Sequence, residues 1–396
     1  MRAVEDFPAP VRLSTIAAEW GRIGCTGFGG PPAHISLLRR LCVTRKGWLS
    51  EGEFEDAIAT TNLLPGPAST QLAIYCAWRL RGWRGALVGG ACFIVPGLVV
   101  ILALSALFLE SHPPRWVAGA AAGAGSAVAA VALSASLSLV PPSWGRARAG
   151  AAPGRAAGLR WAVYAGAGAV AAATIGPYLV LVLLGTGLAE LSRRAGAAKD
   201  GAGPRGVALA WLAAVTPPVG GAAALAWVAL KVGALSYGGG FVIIPLMQSD
   251  AVHHYHWMTS AQFLNAVALG QVTPGPVVQT VAVVGYAAAR LGGGLLAALI
   301  AFAPSFCFVL FGGGNFGRIR SSAVAQAFLA GAGPAAIGAI AGAAVPLALA
   351  LAHIWQAGVL AAAVAWFVVL RRNVVVGLLG AGAVGVVASL VGLPLA

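Results

Sequence analysis

Polar residues in this chain fall in short clusters, and the stretches between them are apolar over long distances. Gly85 to Leu109, Trp116 to Val140 and Val324 to Ala352 reach or pass the roughly 20 residues that carry a helix across a bilayer. Each run predicts a membrane-spanning helix. Trp161 to Ile175 and Tyr178 to Leu191 are shorter and predict a helical hairpin. The segment Ala57 to Leu80 differs, because Arg39, Arg40, Arg45 and Lys46 precede it while Arg79, Arg81 and Arg84 stand at its far end. A simple span keeps its positive flank on one side. Pro65, Gly66 and Pro67 interrupt this segment, and proline removes a backbone donor and clashes with the preceding turn. The pattern predicts two half-helices that enter and leave on the same side, tolerated only where the broken backbone is buried in protein or lines a wet cavity. The expected fold class is an all-α polytopic membrane protein, with about nine spans plus broken or re-entrant pieces.

Composition agrees. Hydrophobic residues make up 59% of the 396 and charged residues 9%, against about 25% charged in soluble domains. The 55 glycines and the abundant alanines let helix backbones approach closely, where lipid gives no hydrophobic drive to associate. Met1 to Val11 lacks the short apolar core of a signal peptide, so the first apolar segment is expected to stay in the protein. Cys25, Cys42, Cys76, Cys92 and Cys307 are odd in number and widely spaced, and suggest neither a disulfide framework nor a metal site. The net charge of +14 lies mostly in short loops between spans. It is therefore read as the positive-inside signature of a membrane protein rather than as a nucleic-acid surface.

The chain also repeats itself. At an offset of 209 residues, Arg22 to Phe93 aligns without a gap on Lys231 to Phe302. Trp48 meets Trp257, Phe54 meets Phe263, Gly29-Gly30 meets Gly238-Gly239, and Pro65-Gly66-Pro67 meets Pro274-Gly275-Pro276. Arg81 meets Arg290 and Gly85 meets Gly294. Ser50-x-x-Glu53 and Thr259-x-x-Gln262 are both capping-box signatures before a Pro-Gly-Pro break. Residues 1–206 are expected to form an N-terminal repeat with a basic linker, and residues 207–396 a C-terminal repeat preceded by a crossing helix near Val207. The basic loop at Arg39 to Lys46 has a partner, Gln248 to Thr259, without Lys or Arg, so the halves are expected to be inverted in the membrane. Arg318, Arg320, Arg371 and Arg372 then fall inside.

At this point the motifs are familiar. Phe28 to His34 (FGGPPAH), Trp48-Leu49, Leu63 to Gln71 (LLPGPASTQ), Tyr237 to Leu246 (YGGGFVIIPL) and Gln271 to Pro276 (QVTPGP) together resemble the chromate ion transporter (CHR) family in its long, two-domain form. The resemblance covers roughly residues 13 to 115 and 222 to 316. It implies export or exchange of chromate, a tetrahedral dianion similar to sulfate, across the cytoplasmic membrane.

The residues suit an anion independently of that resemblance. A helix restarting after Pro-Gly-Pro exposes unpaired amides and the positive end of its dipole. That is an anion site in the making. The restarts are Ala68, Ser69, Thr70 and Gln71 in one half and Val277, Val278, Gln279 and Thr280 in the other, so both offer hydroxyl or amide donors within a turn. A structural kink with ordinary capping is the competing reading. Gly29, Gly30, Gly238, Gly239 and Gly240 permit close backbone approach, which either ligand contact or tight helix packing would use. Arg22 and Lys231 occupy matched positions in apolar sequence, and serve the anion pathway or snorkel to the interface. Asn62 and Gln271, each three residues before a Pro-Gly-Pro, bind an oxyanion or satisfy the broken helix. His34 is placed to bond an oxyanion or to pack as a neutral ring.

Of the eleven carboxylates, Glu190 and Asp250 are assigned with most others to tails, loops or segment ends, leaving Glu19 and Asp56 as intramembrane candidates. A cation pathway would want more. His253, His254 and His256 are assigned to an exterior loop rather than a metal site. No cofactor is implied. The leading expectation is a secondary transporter for a small oxyanion, embedded in lipid, with a second copy of the chain as a candidate partner. An anion channel would use the same residues without alternating access. A membrane-embedded enzyme would need a nucleophile beside a base, or a metal, and neither stands out as a motif.

Overall fold

The computed structural model describes residues 11–62, 64, 66–110, 113–148, 155–174, 179–197, 220–236, 243–315 and 321–395. The crossing near Val207, Pro65, Gly238 to Gly240, Arg318 and Arg320 lie outside the described residues. Among those described the chain is helical throughout, with no strand.

The first repeat opens with two broken helix pairs. α1 (Leu13–Thr26) ends at Gly27, and α2 (Pro31–Arg39) continues into a π turn over Arg40–Arg45. Glu19 on α1 is ion-paired with Arg45, so α2 folds back along α1. α3 (Glu51–Thr61) leads to the Pro-Gly-Pro break, and α4 (Ala68–Phe108) leads away from it. Non-helical torsions at Arg81 and Gly82 divide α4 into a short returning leg and a long span. Arg79, at the end of that leg, donates from Nη2 to Glu53 Oε1 at the start of α3, 2.5 Å away. The two legs therefore lie antiparallel, with the break at their shared tip. This is the re-entrant arrangement the flanking charges require.

The second repeat follows the same plan. α9 (Gly221–Leu235) and α10 (Ile243–Gln248), with a π turn over Ser249–His254, form its first pair. α11 (Ser260–Val272), a 3-10 turn over Val277–Gln279, and α12 (Thr280–Gly312) form the second. Both predicted capping boxes close, with Ser50 and Thr259 each accepting from the amide three residues on at 3.2 Å while Glu53 and Gln262 accept in return at 2.9 Å. Each box satisfies donors that the helix start would otherwise leave orphaned.

The ungapped match is corrected beyond the break. Non-helical torsions fall at Arg81 and Gly82 in one repeat and at Ala289 and Arg290 in the other, an offset of 208. Gly85 packs on Ala77 as Gly293 packs on Gly285, and a Cβ at Gly66 or Gly275 would meet the side-chain nitrogen of Gln71 or Gln279 at 2.5 and 3.1 Å. Gln71 thus corresponds to Gln279, not to Thr280. The cause is local: a 3-10 turn rises about 2.0 Å per residue against 1.5 Å in an α-helix. The second repeat covers the restart with one residue fewer.

The trailing helices interlock the halves. They are α5 (Arg115–Ser126), α6 (Val128–Arg148), α7 (Arg155–Thr174) and α8 (Leu179–Ala197) after the first repeat, and α13 (Ala323–Leu349), α14 (Ile354–Val364) and α15 (Val374–Leu390) after the second. Gly338 and Gly342 of α13 lie against the backbone at Ala165 and Ala169 of α7, and Gly331 lies against Thr186 of α8. Gly119 and Gly123 of α5 meet Gly385 and Ala381 of α15. A Cβ at any of these glycines would overlap a carbonyl of the opposite repeat, so close backbone approach is what the small residues supply. Ala68–Phe108, Arg115–Gly145, Val277–Gly312 and Ala323–Leu349 are long and apolar enough to cross a membrane. Val99, Leu299, Phe311 and Leu349 turn outward from them, as lipid-facing residues do.

Candidate functional site

The broken tips of the two repeats meet. His34, fully buried on α2, places Nε2 2.9 Å from the carbonyl oxygen of Gly27 and Nδ1 3.3 Å from Ser69 Oγ at the start of α4. A carbonyl only accepts, so Nε2 carries the proton and Nδ1 accepts from the serine hydroxyl. The ring also stands edge-on to Phe93, 5.0 Å between centroids. The same Gly27 oxygen accepts from the amide of Gly275 in the second Pro-Gly-Pro, at 3.0 Å. Three hydrogen bonds thus join the first helix restart, the first glycine tip and the second break. His34 is a packed, hydrogen-bonded group in this arrangement.

Each break is seated on the opposite repeat. Gln279 donates from Nε2 to the carbonyl of Ile94 at 2.7 Å, and Gly97 faces Pro274, where a Cβ would overlap the proline carbonyl. On the other side, a Cβ at Gly66 would stand 3.4 Å from the Gly233 carbonyl and 3.4 Å from Ser305 Oγ. Gly30 borders Val277. Pro67 and Pro276 precede the two restarts, and the carbonyl of Pro67 receives the amides of Thr70 and Gln71, both at 3.0 Å. The amides of Ala68 and Ser69 therefore belong to the unpaired first turn.

The expected site residues are mostly buried here. Ala68, Ser69, Thr70, Gln71, Gln271, Val277, Val278, Gln279 and Thr280 are all shielded from solvent. Among the described residues, Thr70 Oγ1, Ser305 Oγ, Gln271 Nε2 and Gln279 Oε1 are buried without a hydrogen-bond partner. Buried polar atoms are nearly always paired, so each such group is open to a ligand, an ion or water as its partner. Thr280 is committed otherwise, donating to the carbonyl of Val277 at 2.8 Å.

Three readings are corrected. Arg22 is exposed on α1, and Asn62 is exposed at the end of α3, so neither side chain is buried with the restarts. Lys231 is buried but ion-paired with Asp250, both nearly inaccessible, and it is not the counterpart of Arg22 in environment. Among the described residues Asp250 and Glu190, expected in loops or segment ends, are the buried carboxylates, whereas Asp56 is exposed and Glu19 pairs with Arg45. Ser305 was also missed. Its signal was the Pro304-Ser305 pair, which answers Pro96-Gly97 once the offset is 208. His253, His254 and His256 are exposed, and no group of metal-binding side chains occurs among the described residues. A cavity of about 470 Å³ at the kink of α12, lined by Leu225, Trp257, Ala288 and Ala289, is apolar and sits at the base of its pair, away from the tips.

Comparison with known proteins adds a second line. The family described as Chromate transporter matches residues 14–191 and 223–386. A chromate transport protein of Pseudomonas aeruginosa is 31% identical, covering 96% of this chain and 94% of the relative. Another, from Cupriavidus metallidurans, is 30% identical over 83% of this chain and 80% of the relative. A probable chromate transport protein of Synechococcus elongatus is 27% identical over 82% of each. No solved structure matches.

Proposed function

The chain belongs to the chromate transporter family, and from that premise we propose that it carries chromate across the cytoplasmic membrane as a secondary transporter. The anion is held between the two Pro-Gly-Pro tips. Ala68 and Ser69 offer backbone amides, while Thr70, Ser305 and Gln271 offer side-chain donors. These are the groups a fully ionised oxyanion needs, since it can only accept. The second restart, Gln279 with Val277 and Val278, completes the opposite wall. Gly29 and Gly30 shape the rim. Sulfate, with the same shape and charge, is the expected competitor or exchange partner. Alternating access follows from inverted repeats rocking about a fixed central site.

The observation that carries this reading is the burial of unpartnered donors beside two helix starts that hydrogen bonds tie together. Purified protein in proteoliposomes should take up labelled chromate, faster when the lumen holds unlabelled chromate or sulfate. Uptake that ignores the lumenal anion, together with a steady chromate current, would instead make the protein a channel. No uptake of any tetrahedral oxyanion would remove the proposal.

A further inference from the structure

Three arginines gather where α6, α7 and α8 come together, away from the tips. Glu190, whose side chain is 5% exposed, accepts from Arg193 at Nε (3.0 Å) and Nη2 (2.5 Å) and from Arg194 Nε (3.2 Å), while Arg160 Nε stands 3.8 Å away. Tyr164 donates to the same carboxylate at 3.5 Å. One negative charge holds three positive ones, leaving a surplus of two. The arginine side chains are 31–40% exposed, so that surplus faces outward.

The surroundings are those of a membrane interface. Trp144 and Trp161 stack edge to face at 5.4 Å beside the cluster, and tryptophan favours the headgroup level. Leu159, Val163 and Val170, spaced along one face of α7, are all more than half exposed. An outward apolar ridge leading from a cationic patch matches acyl chains below a phosphate. A free phosphate would use the patch but not the ridge.

We propose that Arg160, Arg193 and Arg194 form a binding site for the headgroup phosphate of an anionic phospholipid, with Glu190 as the group that fixes the guanidinium geometry in advance. Basic pockets between membrane helices bind such headgroups, and orienting long side chains beforehand lowers the entropic cost of binding. Because Gly331 of α13 packs against Thr186 and Glu190, a bound lipid would brace α8 where it meets the opposite repeat.

The test is lipid retention on the detergent-purified full chain, read by native mass spectrometry with phosphatidylglycerol, phosphatidylcholine or inorganic phosphate added. Phosphatidylglycerol should be retained in preference to phosphatidylcholine, and phosphate alone should not compete at equal concentration. The R193A/R194A double variant should bind phosphatidylglycerol about thirtyfold more weakly. R193K/R194K keeps the charge and should still lose affinity, because a lysine lacks the rigid fork. E190Q decides the role of the carboxylate: retention falls if it fixes the guanidiniums. Equal retention of both lipids, full competition by phosphate, or unchanged binding by R193K/R194K would overturn the proposal, and tighter binding by E190Q would overturn the part given to Glu190.

Discussion

The first broken pair of each repeat makes its π turn at a matched position and closes with the opposite charge. In the first repeat, α1 carries the acid, Glu19, and the end of the π turn carries the base, Arg45, both partly open to solvent. In the second repeat, α9 carries the base, Lys231, the π turn carries the acid, Asp250, and both are buried. Both π turns begin at matched positions, Arg40 and Ser249, so the fold has kept the geometry while exchanging the chemistry that closes it. The lesson is that a duplicated scaffold specifies where a helix breaks, whereas the ionic closure of each pair was chosen separately. An exposed pair contributes little to stability, and a buried one is costly to break.

That contrast gives the largest expected effect. Asp250→Ala would leave the Lys231 ammonium buried without a partner, a loss of about 3–5 kcal/mol. Glu19→Ala should cost no more than about 1 kcal/mol, since it opens a partly solvated pair. Thermal denaturation of the detergent-purified variants measures both. Equal melting temperatures for the two would mean that the apparent difference in burial carries no energetic weight. Arg22→Ala, at the surface position matched to Lys231, should fall within about 0.5 kcal/mol of the parent.

The tips differ in a second way that flux measurements can read. Thr70→Val removes a buried hydroxyl that has no partner among the described residues, so the fold should not suffer. If that hydroxyl donates to the oxyanion, losing a hydrogen bond to a charged ligand should lower chromate uptake at subsaturating concentration by about ten- to hundredfold. Thr280→Val, in the other repeat, breaks only the bond to Val277 and should lower uptake far less. Similar losses in both would point to packing instead of binding. A reciprocal swap sharpens the comparison: Gly97→Ser gives the first repeat the residue found at Ser305. It drives a side chain into Pro274 and should cost about 1–3 kcal/mol by overpacking. Ser305→Gly leaves the opposite seat open, and should reduce uptake while costing the helix only about 0.5 kcal/mol.

How far the sequence foretold these features depends on the range of the interaction. The capping boxes at Ser50 and Thr259, the breaks after Asn62 and Gln271, and the long apolar spans rest on residues a few positions apart, and all were legible. The one-residue change of register was not. Nothing in a Gly- and Ala-rich pattern distinguishes a 3-10 restart from an α restart, and chance identities such as Phe93 with Phe302 and Arg81 with Arg290 favoured the wrong offset. Asp250 and Glu190 were misplaced for a related reason. A charge near the end of an apolar run reads as solvated; only the folded chain brings Lys231 to Asp250, and although Arg193 and Arg194 stand within a turn of Glu190, its burial comes from packing against α7 and α13. The candidate site was legible as a set of restarts, while Ser305 and the hydrogen bonds that link His34, Gly27 and Gly275 required the two repeats to be docked on each other.

A further effect on stability lies at the kink, where the corrected register can be tested by itself. Gly82 has φ of 58° and Arg290 has φ of 53°, both with ψ of −149°, a conformation glycine adopts freely and an L side chain resists. A Cβ at Gly82 would have no neighbour within 4 Å, so Gly82→Ala probes the backbone without a clash. It should destabilise by about 1–3 kcal/mol. Arg290→Gly should do the reverse, with less to gain. Relief of strain is offset by about 0.5 kcal/mol for the guanidinium over Tyr286, 5.9 Å from its ring centre, and by a similar term for the extra freedom of glycine in the unfolded chain. The net stabilisation should stay below about 1 kcal/mol, a rise of a degree or two in melting temperature. Opposite signs at Gly82 and Arg290 would confirm them as one structural position, whereas a neutral Gly82→Ala would restore the ungapped alignment that pairs Arg290 with Arg81.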